Sequence, residues 1–178
     1  MKSSMVSAPA LLLGVTVVGV AVPARSSPAT SDGQVAGRSV RAARLRGAIH
    51  LDGRPDEPAW QAAETGDAFT QTEPEEGQPA SSRTRFWVLW DEDSLYVAAE
   101  CMALDGVTAV LSRRDRASEG DKIEFNLDTT LDRRTAYQFT VFAAGHQLDG
   151  LRFNDTEVTT NWDAAWESEV VRTTSGWS

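Results

Sequence analysis

The sequence predicts an all-β, immunoglobulin-like antiparallel β-sandwich that lacks its C-terminal strand or strands. Three observations predict it. Over short stretches apolar and polar residues alternate with a period of two, the mark of strands with one buried face. Turn-forming clusters such as Asp91-Glu92-Asp93-Ser94 and Ala144-Gly145-His146 punctuate these stretches. No long segment carries the 3.6-residue period of an amphipathic helix, so the crossover elements that a parallel sheet needs are missing.

The chain opens with Lys2 and an apolar run from Leu11 to Val22 that ends in Val22-Pro23-Ala24. This pattern reads as a secretory signal peptide over residues 1–24, with an uncleaved anchor as the alternative. Residues 25–40 are rich in Ser, Pro, Ala and Gly with little to bury, a flexible leader. The folded domain is expected over residues 41–178, a size suited to one core. From Ile49 to Trp60 the text IHLDGRPDEPAW gives a short apolar strand, a Gly turn and an acidic, Pro-punctuated return that brings a Trp back onto that strand. Asp56 is placed to cap a short helical turn through Ala59 to Ala63, with Pro58 tolerated in its first turn.

Phe86, Val88 and Trp90 share one face of the next strand and Trp87 and Leu89 the other, so it is expected to be covered on both sides. Asp91 to Ser94 turns the chain into Leu95–Cys101, and the pair reads as a hairpin central to its sheet. Ile123, Phe125 and Leu127 then alternate with Lys122, Glu124 and Asn126, which leaves one wet face. Tyr137, Phe139 and Val141 alternate with Gln138 and Thr140, and the meander continues through Gln147–Phe153. Thr174-Ser175-Gly176 forms a turn and Trp177 begins a further strand; the expectation is that the chain is a fragment of a longer protein whose next strand completes the sandwich.

The formal net charge is −9, a surface that repels phosphate backbones and argues against a nucleic-acid partner. Cys101 is the single cysteine, which rules out an intrachain disulfide, and its setting in LYVAAEC predicts a buried strand thiol. Of the six tryptophans, Trp60, Trp87 and Trp90 sit inside apolar patterns and are expected in the core. Trp162 and Trp166 stand among polar residues in NWDAAWE, which leaves them as ligand platforms or as edge packing.

Positive charge concentrates at Arg113-Arg114-Asp115-Arg116. With Asp121 and Glu124 it predicts a polar cluster at a sheet rim, whose forks suit neighbouring hydroxyls or acidic sugars. A solvated loop with ordinary ion pairs is the alternative. Asp128 and Asp132 flank Thr129-Thr130-Leu131 and are the candidate metal ligands, here for a structural calcium; a full calcium shell needs more oxygens than this stretch supplies, and turn chemistry is the competing reading. His50 and His146 are the only histidines, and neither His-Glu-x-x-His nor Cys-x-x-Cys is present. Gly-x-Ser-x-Gly and phosphate-cradling Gly loops are absent as well. Carboxylate pairs for glycoside hydrolysis can be drawn, Asp115 with Glu124 or Asp149 with Asp155, but nothing singles out either.

IHLDGRPDEPAW, RFWVLWDEDSLYVAAE, DKIEFNLDTTLDRRTAYQFTVFAAG and NWDAAWE follow one another in an order that resembles family-nine carbohydrate-binding modules and their relatives at the front of large exported bacterial proteins. The resemblance covers nearly everything after Arg44. It implies a noncatalytic module that binds polysaccharide or oligosaccharide, needs no cofactor beyond a possible structural calcium, and works in the periplasm, at the outer membrane or outside the cell. Glu124 falls where those modules place a sugar-contacting Glu. Thr140 stands in the place of an Arg, and Arg116 to Gly120 has no aromatic where those modules carry a stacking Trp. The expected binding surface is therefore Arg113, Asp115, Asp121 and Glu124, with Trp162 or Trp166 as the aromatic platform. Two other readings remain open: an accessory domain that precedes an outer-membrane β-barrel without binding sugar, and a small glycoside hydrolase.

Overall fold

A computed structural model describes residues 39–178 other than 104, 155 and 156, together with the backbone of residues 14–19. Its strands are β1 (Gly14–Gly19), β2 (Ala43–Arg44), β3 (Thr84–Trp90), β4 (Leu95–Met102), β5 (Lys122–Asp128), β6 (Thr135–Phe142), β7 (Gln147–Phe153), β8 (Glu157–Thr159) and β9 (Gly176–Trp177), with one short helix, α1 (Pro58–Gln61). They form two sheets, one ordered β1-β5-β6-β7-β8 and the other β2-β3-β4-β9. All the strand pairings are antiparallel except β2 with β3. The all-β sandwich expected from the alternation is thus the observed architecture. β1 lies inside the expected signal peptide; the rest of that segment, and the leader as far as residue 38, fall outside the described residues.

The β3–β4 hairpin is central, as its two apolar faces require. Asp91 shapes the connection: its Oδ1 accepts from the Asp93 and Ser94 amides at 2.9 and 2.8 Å, and Tyr96 donates its hydroxyl to Oδ2 at 2.9 Å. These donors hold the Asp91 carboxyl below its usual range.

One face of the hairpin carries Trp87, Leu89, Tyr96 and Ala98. It packs outside the sandwich against Ile49, Ala59, Trp60 and Ala63. The predicted return of Trp60 onto the Ile49 segment is therefore present as packing, although residues 48–51 form no strand. The helix cap differs from expectation. Glu57 rather than Asp56 occupies the N-cap, without a side-chain capping bond, and its carboxylate instead accepts from the His50 amide at 2.8 Å and the Trp60 indole at 2.9 Å.

The opposite face of the hairpin meets the second sheet. Ala99 and Cys101 pack with Ile123, Val141, Ala143 and Trp177 in the cluster between the sheets. Cys101 is a half-buried strand thiol, less covered than expected, and its desolvation pushes its pKa up to about 12. Trp90 corrects the prediction. It shares a face with Val88, but it is the last residue of β3, and 41% of its surface is exposed while the Arg44 guanidinium lies over its ring at 5.6 Å. Period-two alternation assigns a face; it does not say where along the strand the cover ends.

Gly66 shows how closely the strands are flanked. It bridges Phe86, and a β-carbon there would stand 2.1 Å from the Phe86 ring, so only glycine allows this approach.

Candidate functional site

The β5–β6–β7 meander presents two chemically different faces, and strand parity alone divides them. Ile123, Phe125, Phe139 and Val141 point toward the interior. Glu124, Asn126, Gln138, Thr140 and Arg152 share the other face, and the register brings them into contact: Glu124 pairs with Thr140, Asn126 with Gln138, and Ala136 with Arg152.

On that face Arg152 is the hub. Its Nη2 donates to Glu124 Oε1 at 2.8 Å and to Gln138 Oε1 at 3.0 Å, and its Nε donates to Asn126 Oδ1 at 3.3 Å. Asn126 Nδ2 and Gln138 Nε2 donate in turn to the two oxygens of Glu124, each at 3.2 Å. The Glu124 side chain is only 13% exposed and Arg152 28%, so the pair sits recessed rather than waving in solvent. Gln138 and Thr140 are buried. Four planar polar side chains are thus locked on one patch of sheet with opposite charges neutralised inside it, an arrangement of fixed donors and acceptors.

Glu124 is the one predicted site residue in this cluster. Its expected partners lie elsewhere. Arg113 is exposed on the loop that precedes β5. Asp115 sits in the left-handed region at φ 60°; its amide donates to the Gln147 carbonyl at 2.9 Å, and its Oδ1 is buried without a hydrogen-bond partner among the described residues. Asp121 is consumed by the same loop: its Oδ2 accepts from the Thr108 amide at 3.0 Å and its carbonyl accepts from the Ala143 amide at 2.8 Å.

The two tryptophans are on the wrong side for a platform beside Glu124. Trp162 tilts against Tyr137 with ring centroids 4.7 Å apart and meets Phe139 edge-on at 5.9 Å. Trp166 meets Phe125 and Phe139 edge-on at 6.4 and 5.2 Å. Since Phe125 and Phe139 are stacked on the interior face at 5.0 Å, both indoles cover the face opposite Glu124. Edge packing, not a sugar platform next to Glu124, is what their polar neighbours in sequence conceal.

Those neighbours have a structural task. Asp149 is fully buried on the interior face of β7; its Oδ2 accepts from Trp166 Nε1 at 2.8 Å and from Arg114 Nη2 at 2.7 Å, and its Oδ1 accepts from the Ala164 amide at 3.1 Å. Arg114 also reaches Gln147, Asp163 and the Ala164 carbonyl. Of the basic run, then, Arg114 is the residue with the organised contacts. Its partner lies thirty-five positions away, which no local pattern discloses. Arg152 was equally hidden, although its place one residue beyond Leu151 and two beyond Gly150 gives the right strand phase once β7 is accepted.

The expected calcium ligands turn out to serve their own loop. Asp128 Oδ1 accepts from the Thr130 amide and its Oδ2 from the Arg133 amide, at 3.1 and 2.8 Å. Asp132 Oδ1 accepts from the Arg134 and Thr135 amides, and Oδ2 from the Thr135 hydroxyl at 2.7 Å. Both carboxyls titrate below their ordinary range because of these donors, Asp132 at about 2. Among the described residues no group of three or more His, Cys, Asp or Glu side chains is arranged to hold a metal ion. Of the carboxylate pairs drawn for hydrolysis, Asp155 lies outside the described residues and Asp149 is the buried anchor just described.

The class defined by these features is an all-β domain of two packed sheets with a fixed polar patch on the outer side of one meander. The chain matches no protein-family model, no curated protein and no solved structure.

Proposed function

We propose that this chain is a noncatalytic glycan-binding domain of an exported protein, built on an immunoglobulin-like β-sandwich. In this reading the ligand lies on the patch formed by Glu124, Asn126, Gln138 and Arg152. The observation that carries the reading is the mutual locking of these four planar side chains. Vicinal hydroxyls both donate and accept, so a rigid array of carboxylate, amide and guanidinium edges recognises them without the entropy cost of ordering each side chain on binding. Internal neutralisation of Glu124 by Arg152 favours neutral over acidic sugars. In the sequence resemblance to family-nine carbohydrate-binding modules, Glu124 corresponds to a Glu that contacts sugar in those modules, which supports the same patch.

Calorimetric titration against a panel of soluble polysaccharides and oligosaccharides tests the proposal. Glu124→Gln keeps the shape and one acceptor but removes the charge, and it is expected to weaken binding by about tenfold to a hundredfold, the loss of a charged hydrogen bond. Trp162→Phe, on the opposite face, is expected to leave affinity unchanged. A wild-type chain that ignores the whole panel overturns the glycan reading in favour of an accessory domain. Binding that survives Glu124→Gln but falls with Trp162→Phe moves the site to the other face.

A further inference from the structure

The edge of β5 carries a second surface. β1 pairs with β5 along its length, from Gly14 with Asp128 to Gly19 with Ile123, so the outer edge of this sheet is covered by a segment that the sequence reads as part of a cleavable leader. Without residues 1–24, β5 ends the sheet and its outward amides and carbonyls lose their partners. Natural edges are blunted by proline, bulges or inward charges. β5 has none of these: it is a regular seven-residue strand, KIEFNLD, with Ile123, Phe125 and Leu127 on its interior face.

That strand is also self-complementary. An antiparallel two-fold centred on Phe125 sets Lys122 opposite Asp128, Ile123 opposite Leu127, Glu124 opposite Asn126, and Phe125 opposite its own copy. Every one of these pairs is favourable: a cation with an anion, an aliphatic with an aliphatic, a donor with an acceptor and an aromatic pair. The donor–acceptor fit of the third pair already operates within the chain, where Asn126 Nδ2 donates to Glu124 Oε1. We propose that β1 is a placeholder on this edge and that, once residues 1–24 are removed, β5 pairs with β5 of a second copy, joining two meanders into one continuous sheet. The interface is isologous, so it closes at a dimer.

The test uses the whole chain with a specific protease site placed between residues 25 and 38, the released leader peptide being separated by gel filtration. Sedimentation equilibrium is expected to give a monomer before cleavage and a dimer after it. Lys122→Glu sets like charges opposite each other twice per dimer and is expected to raise the dimer dissociation constant about tenfold. Asn126→Asp, which opposes Glu124 with a second acid, is expected to act in the same direction, and circular dichroism establishes that each variant is folded. A cleaved chain that stays monomeric, one that retains the leader peptide on the edge, one that grows beyond a dimer, or one whose dissociation constant neither variant changes would each overturn the proposal.

Discussion

Removing the Asp149 carboxylate is expected to loosen the interior face of the meander more than any surface change on the same sheet. In Asp149→Ala the Trp166 indole N–H and the Ala164 amide lose their acceptor, and Arg114 loses its contact with the buried carboxylate. Each of the two N–H donors bonds a charged, fully buried acceptor, a class worth about 1.5 to 3 kcal/mol. The Arg114 side chain is 39% exposed and keeps Gln147, Asp163 and the Ala164 carbonyl, so solvent screening reduces its share to about 1 kcal/mol or less. Partial rehydration of the freed groups brings the expected loss to about 3 to 4 kcal/mol, a large part of the stability of an ordinary domain. Asp149→Asn retains an acceptor of the same shape and is expected to lose about 1 to 2 kcal/mol. Urea unfolding followed by fluorescence reads both, with the midpoint of Asp149→Ala lower by about 1 to 3 M at an unchanged slope. If Asp149→Ala unfolds within 1 kcal/mol of the wild type, the anchor carries no weight and segment 160–171 is held by its aromatic packing and its remaining hydrogen bonds.

Trp87→Ala is expected to cost about 3 to 5 kcal/mol, since the ring is buried and its indole donates to Thr65 Oγ1 at 2.9 Å, whereas Trp90→Ala costs about 1 kcal/mol or less; chemical denaturation of the two variants side by side checks the order. Acid unfolding is expected in two stages. His146 is buried against Phe142, which lowers its pKa, so the unfolded chain takes up that proton first and stability begins to fall below about pH 6.5. The depressed carboxyls of Asp128 and Asp132 contribute stability above their ordinary pKa, and that contribution is lost as pH falls from about 4 toward about 2. Asp132→Asn is expected to flatten the lower stage and leave the upper one in place when stability is measured as a function of pH.

The strands of the meander and the β3–β4 hairpin were legible in the sequence because each is long enough for alternation to declare a period and each is bounded by turn residues. β2, β8 and β9 are too short for that, and only Trp177 gave a hint of the last. Strand parity also separated Glu124 from Phe125 correctly. What parity could not supply was which residue of a neighbouring strand faces Glu124. Charge density pointed to Arg113 and Asp115, close in sequence, whereas pairing of β6 with β7 delivered Arg152. The polar setting of Trp162 and Trp166 misled for a related reason: Asp163 and its neighbours are bound to Arg114 across the chain, and a segment can be polar in sequence yet lie against an apolar face.

The β3–β4 hairpin is a wall common to two rooms. Trp87, Leu89, Tyr96 and Ala98 line the cluster around Trp60, while Ala99 and Cys101, in the same hairpin, line the cluster around Trp177. Emptying either room bares one side of the wall to water, and the ladder within it loses the dry cover on which its hydrogen bonds depend. The two clusters are therefore coupled through two strands, although no residue belongs to both. A molecule partitioned in this way is expected to melt as one unit, its two clusters lost together with the hairpin they share.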